Sequence, residues 1–181
     1  MDDPTTARDE LDAALRTHDR AATVAVALRL LEEGSLDVGG LYDLLTEILI
    51  GVGASWQAGE TEVWQEHLST GIVRSVVEAC TPVVEAAAPS RRTSTVLLAA
   101  PEDEYHELGL RMLADRFTLA GWHAHFLGAN VPADELVAAV GELGAEAVAL
   151  SASTHLHRLG LRHYVSRLTA ARPRVQVWVG G

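Results

Sequence analysis

The chain has 181 residues, enough for one large domain or two small ones. It is 48% apolar and 22% charged, so it can bury a real core, and its formal charge of −11 sets 14 arginines against 25 acids, with no lysine anywhere. That composition excludes a P-loop lysine, a Schiff-base lysine and, with Cys80 as the single cysteine, a disulfide framework, a CxxC redox site or a cysteine-rich zinc site. Residues 1–90 carry 5 Arg against 16 acids, and residues 91–181 carry 9 against 9. Neither half offers the clustered cations that nucleic-acid phosphates need, and no helix-turn-helix pattern appears, so direct DNA binding is not expected. The opening Met1-Asp2-Asp3-Pro4 has no apolar run behind it, and no stretch approaches the roughly eighteen apolar residues of a membrane span. A cytoplasmic protein is the expectation.

The first half has a helical period. Apolar residues three or four apart predict helices over about 6–17 and 20–33, the latter closed by Gly34. A longer helix runs from Val38 to Gly59 with Leu41, Leu44, Leu45, Ile48 and Leu49 on one face. Thr61 is the expected N-cap of a fourth helix, in which Trp64, Leu68, Ile72 and Val76 recur four apart. Pro82 kinks or stops it. Residues 1–90 therefore read as a four-helix bundle, and residues 88–95 as a short linker.

The second half alternates between strand and helix. Strands are expected over 96–100, 122–127, 147–150 and 175–179, with helices over 105–120, from Pro132 to about Leu143, and over 158–171. This rhythm predicts a parallel Rossmann-like, flavodoxin-type sheet over 94–181. Ligands of such sheets sit beyond the carboxyl ends of the strands, so the loops after Ala100, Leu127, Leu150 and Val179 are where chemistry is sought.

The first of these loops, Pro101 to Gly109, lacks the Gly-rich turn that cradles a pyrophosphate. It offers instead His106 with Glu104 two residues earlier, and a metal-bound imidazole usually donates its second N–H to such a carboxylate. Glu104-x-His106-x-x-Gly109 is followed by 41 residues, then Ser151, then 28 more before Gly180-Gly181. This spacing resembles the cobalamin-binding signature of methionine synthase, the mutases and related proteins. The resemblance implies that His106 is the lower axial ligand of the cobalt of cobalamin, that Glu104 supports it, and that Gly109 lets the corrin approach. It also implies a groove for the nucleotide tail lined by Ser151 and Gly180-Gly181, with Ser153 and Thr154 beside it. Glu104 stands where that family has Asp, and Ser153 where it has Leu. The family normally continues past the paired glycines with another helix and strand, so the domain reads as short at its C-terminus.

Trp56, nine residues, then Glu66-His67 resembles the motif of CarH-type cobalamin photoreceptors. In that family the Trp caps the adenosyl group above the corrin, and the Glu-His pair contacts it. The His that follows the Trp in well-known members, and binds cobalt after illumination, is Gln57 here. The photocobilins, a related group of stand-alone proteins, bind a linear tetrapyrrole such as biliverdin beside cobalamin, and Glu66, His67 and Arg74 could serve its polar groups. The resemblance implies an adenosylcobalamin light sensor, not an enzyme, whose helical half covers the upper face of the cofactor. Output then passes through a homo-oligomer (dimer or tetramer) or an effector protein. A corrinoid methyl carrier of a methyltransferase system and a cobalamin-binding regulator without photochemistry are the other readings. His155 and His157 follow Ser151 and could bond corrin amides. His123 and His125 share one face of an expected edge strand, and Cys80 reads as a small buried hydrophobe.

Overall fold

The computed structural model describes residues 4–181, without the side chains of residues 4, 5, 155 and 156. The chain divides into two compact units, residues 1–84 and 85–181. The first is all helical: α1 (Pro4–Arg16), α2 (Arg20–Glu32), α3 (Val38–Gln57) and α4 (Val63–Ala79), with a short α5 (Thr81–Ala87) running past its end. Carboxylates start two of these helices. Asp19 accepts from the Ala22 amide at 3.0 Å and Asp37 from that of Gly40 at 2.7 Å. Leu11, Leu15, Leu30, Leu41, Tyr42, Leu45, Val73, Val76 and Val77 fill the core, each fully buried side chain of this size stabilising the fold by roughly 1.5–3 kcal/mol. Cys80 is buried with them, between α4 and α5.

Three details of this unit differ from the sequence reading. Glu62, not Thr61, caps α4, because Gln65 turns back to accept the Glu62 amide at 2.9 Å. Pro82 does not kink α4. The helix has already ended at Ala79, and Pro82 sits in the first turn of α5, where its missing N–H costs nothing. The apolar stripe of α4 is buried only in its later part: Ile72 and Val76 are in the core, whereas Trp64 and Leu68 are exposed. Among the described helices α3 is long and apolar enough to cross a membrane. It also carries Asp43 and Glu47 and buries Leu41, Tyr42, Leu45 and Ile48 against its neighbours, the pattern of a core helix.

The second unit contains β1 (Ser94–Pro101), α6 (Leu108–Leu119), β2 (Trp122–Val131), α7 (Ala133–Glu142), β3 (Ala147–Ser151), α8 (His155–Ala171) and β4 (Gln176–Gly180). The four strands are parallel in the order β2-β1-β3-β4. Each strand-helix-strand unit crosses over, and the order reverses between β1 and β3, so their C-terminal loops flank a crevice. One face of the sheet, through Leu97, Ala99, Val148 and Leu150, packs on Leu136 and Val140 of α7 and Leu161, Tyr164 and Leu168 of α8. The other face packs Val96, Leu98 and Ala100 on Leu110 and Ala114 of α6. The small Ala147 and Ala149 on that face leave room for an aromatic group, in which Phe117 stacks on Trp178 at 5.6 Å and Trp122 meets both edge-on.

β2 is one of the two edge strands, with His123 and His125 exposed on it, and it runs four residues further than expected. The extension needs an irregularity after Phe126, where Gly128 takes φ +86°. A Cβ there would stand 2.8 Å from Glu107 Oε2, which accepts the Ala129 amide at 2.8 Å. Gly128→Ala is expected to lower stability by about 1–3 kcal/mol, the cost of holding a non-glycine residue in that region. Urea unfolding checks this, and a midpoint equal to the parent's contradicts it.

Candidate functional site

The helix after β1 begins at Leu108, three residues later than the sequence period suggests. Residues 102–107 are left as a loop at the carboxyl end of the central strand, and this loop carries His106. The extended end of β2 holds it in place. Asn130 Oδ1 accepts the Asp103 amide at 3.0 Å, and the Asn130 amide donates to the Glu104 carbonyl at 3.1 Å. Asp103 and Asn130 both take left-handed backbone angles, φ 65° and 55°, which Asp and Asn tolerate best after glycine. From the other side Tyr164 accepts the Glu102 amide at 2.8 Å and donates to the Val131 carbonyl at 2.8 Å.

Glu104 is completely buried, and its carboxylate receives four hydrogens. Oε1 accepts the His106 amide at 2.9 Å and faces His106 Nδ1 at 2.6 Å; Oε2 accepts the Ser153 amide at 2.7 Å and faces His157 Nδ1 at 2.9 Å. Burial pushes this carboxyl up, but the amides of His106 and Ser153 and the two imidazoles outweigh it and hold it at about 2. An ionised carboxylate only accepts, so Nδ1 of each ring carries the proton and Nε2 keeps its lone pair. The His106 side chain is 70% exposed, so that lone pair faces open space. Gly109, at the start of α6, borders open space too, since a Cβ there would meet nothing within 4 Å.

The second group of expected residues closes the crevice. Ser151 pairs with Gly180 across β3 and β4, and the Ala152 amide donates to the Gly180 carbonyl at 2.9 Å. A Cβ on Gly181 would lie 2.5 Å from the Ala152 carbonyl oxygen, so glycine is needed where the strands part, whereas one on Gly180 would meet nothing. Ser153 is exposed and uses its amide on Glu104. The Thr154 hydroxyl caps α8 by accepting the His157 amide at 3.2 Å, which leaves it less available to a ligand. His157 lies in the first turn of α8, and its Nδ1 serves Glu104, a role that the sequence reading does not give it. Nothing in the local sequence signals this, because the two residues are 53 apart and meet only once the sheet forms. The His155 side chain lies outside the described residues.

In the helical unit Trp56 ends α3 with 45% of its surface exposed. Glu66 and His67 lie in the first turn and a half of α4, with His67 Nδ1 2.6 Å from Glu66 Oε2 and Thr70 donating to Glu66 Oε1 at 2.9 Å. Gln57 is exposed beside Trp56, and Arg74 lies two turns further along α4. Among the described residues no group of three or more His, Cys, Asp or Glu could chelate a bare metal ion.

A buried carboxylate that turns one exposed imidazole lone pair outward, beside a glycine with a bare face, suits a group that needs a single protein nitrogen. Two family models, each described as a B12 binding domain, match residues 94–181 and 7–81. Both halves of the chain are thus B12-binding domains, and the protein is a cobalamin-binding protein. It is homologous to the HTH-type transcriptional repressor CarH of Myxococcus xanthus, with 36% identity over 140 residues, 77% of this chain and 46% of CarH. The chain therefore spans about half the length of that relative. The corrinoid protein DSY3155 of Desulfitobacterium hafniense is 23% identical over 94% of this chain and 85% of its own length. The monomethylamine corrinoid protein of Methanosarcina barkeri shares the fold, with a TM-score of 0.85 at 20% identity over 99% of this chain and 86% of that one.

The Glu104 network makes the apoprotein sensitive to acid in a defined window. A carboxyl lowered from 4.5 to about 2 contributes stability that is complete above pH 4.5 and is lost as the pH falls toward 2. The contribution is about 3 kcal/mol. Glu104→Gln is expected to remove this slope, so that urea midpoints of the parent fall more steeply than those of the variant over this window. Parallel slopes contradict the assignment.

Proposed function

We propose that the protein is a cytoplasmic light sensor that holds adenosylcobalamin, with His106 as the lower ligand of cobalt and Trp56, Glu66 and His67 against the adenosyl group. Bound adenosylcobalamin supplies a cobalt–carbon bond that light breaks. The observation that carries the proposal is Trp56 left half exposed at the end of α3, with the paired Glu66 and His67 on the next helix, in a chain 36% identical to CarH. The half-exposed indole offers a flat face that suits the adenine or ribose of an adenosyl group. Glu66 orients His67 through Nδ1, leaving Nε2 for a ligand hydroxyl or ring nitrogen. With the adenosyl group gone, Trp56 would again be exposed, and the helical unit would favour a different packing or assembly. Gln57 is a poor ligand for cobalt(III) beside an imidazole, so no second histidine ligand comes from that position. Output through an oligomer or an effector protein belongs to the same proposal.

The test is the absorption spectrum and hydrodynamic size of the adenosylcobalamin-loaded protein, in the dark and after green light. Conversion to a hydroxocobalamin-like spectrum with a change of size supports light sensing. Photoconversion with no change of size, or none beyond that of the free cofactor, leaves a regulator without photochemical output. Methylation by a methyl donor and its partner enzyme instead indicates a methyl carrier, the alternative that the likeness to corrinoid protein DSY3155 raises. Trp56→Ala is expected to reduce the preference for adenosyl- over methylcobalamin roughly tenfold while leaving His106 ligation intact. An unchanged preference makes Trp56 a scaffold residue.

Bilin photochemistry is the second reading of this unit: Glu66, His67 and Arg74, all on α4, would then meet the pyrrole nitrogens and propionates of a linear tetrapyrrole instead of an adenosyl group. Biliverdin added to the cobalamin-loaded protein is expected to develop a red band shifted from that of free biliverdin. An identical band removes the bilin.

A further inference from the structure

Glu104 is held from two sides, and only one side belongs to the ligand loop. On Oε2 sit the Ser153 amide, from the turn that joins β3 to α8, and the ring of His157, from the first turn of α8. His157 is the third residue of α8, where the Thr154 hydroxyl accepts its backbone amide, so its Cα is fixed by the helix cap. Its side chain is 21% exposed, against 70% for His106. The carboxylate therefore bridges two imidazoles, one presented to open space and one set into the structure.

We infer that His157 is a positioning residue for the lower ligand: its Nδ1–H pins Oε2 of Glu104 so that Oε1 stays aimed at Nδ1 of His106. A glutamate has one more rotatable bond than an aspartate, and its carboxylate swings unless both oxygens are held. With Oε2 anchored by an amide and an imidazole at 2.7 and 2.9 Å, rotation about the last side-chain bond would break two bonds at once. His157 thus supplies the restraint that the longer side chain at position 104 requires. Its Nε2 is not needed for this, and His157 itself does not touch cobalt.

The inference rests on His106 being the lower ligand, and the test separates the two. Protein loaded with cobalamin reduced to cobalt(II) is examined by electron paramagnetic resonance for the splitting from one axial nitrogen, and cobalamin affinity is measured by titration. The parent is expected to show the splitting and His106→Ala to lack it. A parent without the splitting overturns the His106 reading and this inference with it. His157→Leu keeps the bulk without the donor, and is expected to lower the fraction showing the splitting and to weaken binding about tenfold. His157→Asn, whose Nδ2–H stands where Nδ1–H stood, is expected to restore most of both. Far-ultraviolet circular dichroism confirms that each variant is folded, and His157→Ala replaces the leucine variant if that one is not. A folded donor-less variant with parental splitting and affinity overturns the inference, as does an asparagine variant as impaired as the leucine one.

Discussion

The second unit depends on one buried negative charge. Moving an isolated carboxylate out of water costs several kcal/mol even after relaxation, so Glu104 can be ionised at zero exposure only because four donors meet it. Those donors come from three places: the ligand loop, the end of β3 and the first turn of α8. Each is fixed by something else, the loop by Asn130 and Tyr164, the β3 end by its pairing with β4, and the helix turn by Thr154. The N-terminal end of α8 adds its partial positive charge nearby. The order of the sheet, which parts β1 from β3 at their carboxyl ends, is what lets these groups converge, and the outcome is one imidazole with a free lone pair.

The helical unit follows the opposite logic. Its core is apolar and closed, yet it leaves Trp56, Val63, Trp64 and Leu68 exposed around the junction of α3 and α4. Trp64 and Leu68 fit the apolar stripe of α4 by sequence, yet only the later residues of that stripe, Ile72 and Val76, are buried.

The two-part architecture is legible in the sequence because its periods differ, 3.6 in the first half and strand-helix alternation in the second, and the pairing of Ser151 with Gly180 follows from strand ends. The Glu104–His106 pair is legible because both residues lie in one short loop. What the sequence does not show depends on long-range contact. The extension of β2 past Leu127 exists because Glu107 and the ligand loop hold its backbone, and His157 meets Glu104 only after β1, β3 and α8 are assembled. The cap of α4 escapes sequence reasoning for a local reason: Thr61 is the better cap by residue type, but Gln65 three residues beyond Glu62 completes a capping box there. Likewise the apolar spacing of Trp64 and Leu68 does not say whether a neighbour exists to cover them.

The ability of the loop to present one unprotonated nitrogen comes down to a proton: an ionised Glu104 fixes it on Nδ1 of His106 and leaves Nε2 bare. Long-range proton–nitrogen correlation spectra of cofactor-free protein with labelled histidine, at a pH where the rings are neutral, read the tautomer of each ring directly. His106 and His157 are both predicted to carry the proton on Nδ1, and Glu104→Gln is predicted to let the His106 tautomers mix. A parent protein in which His106 carries its proton on Nε2 would contradict this.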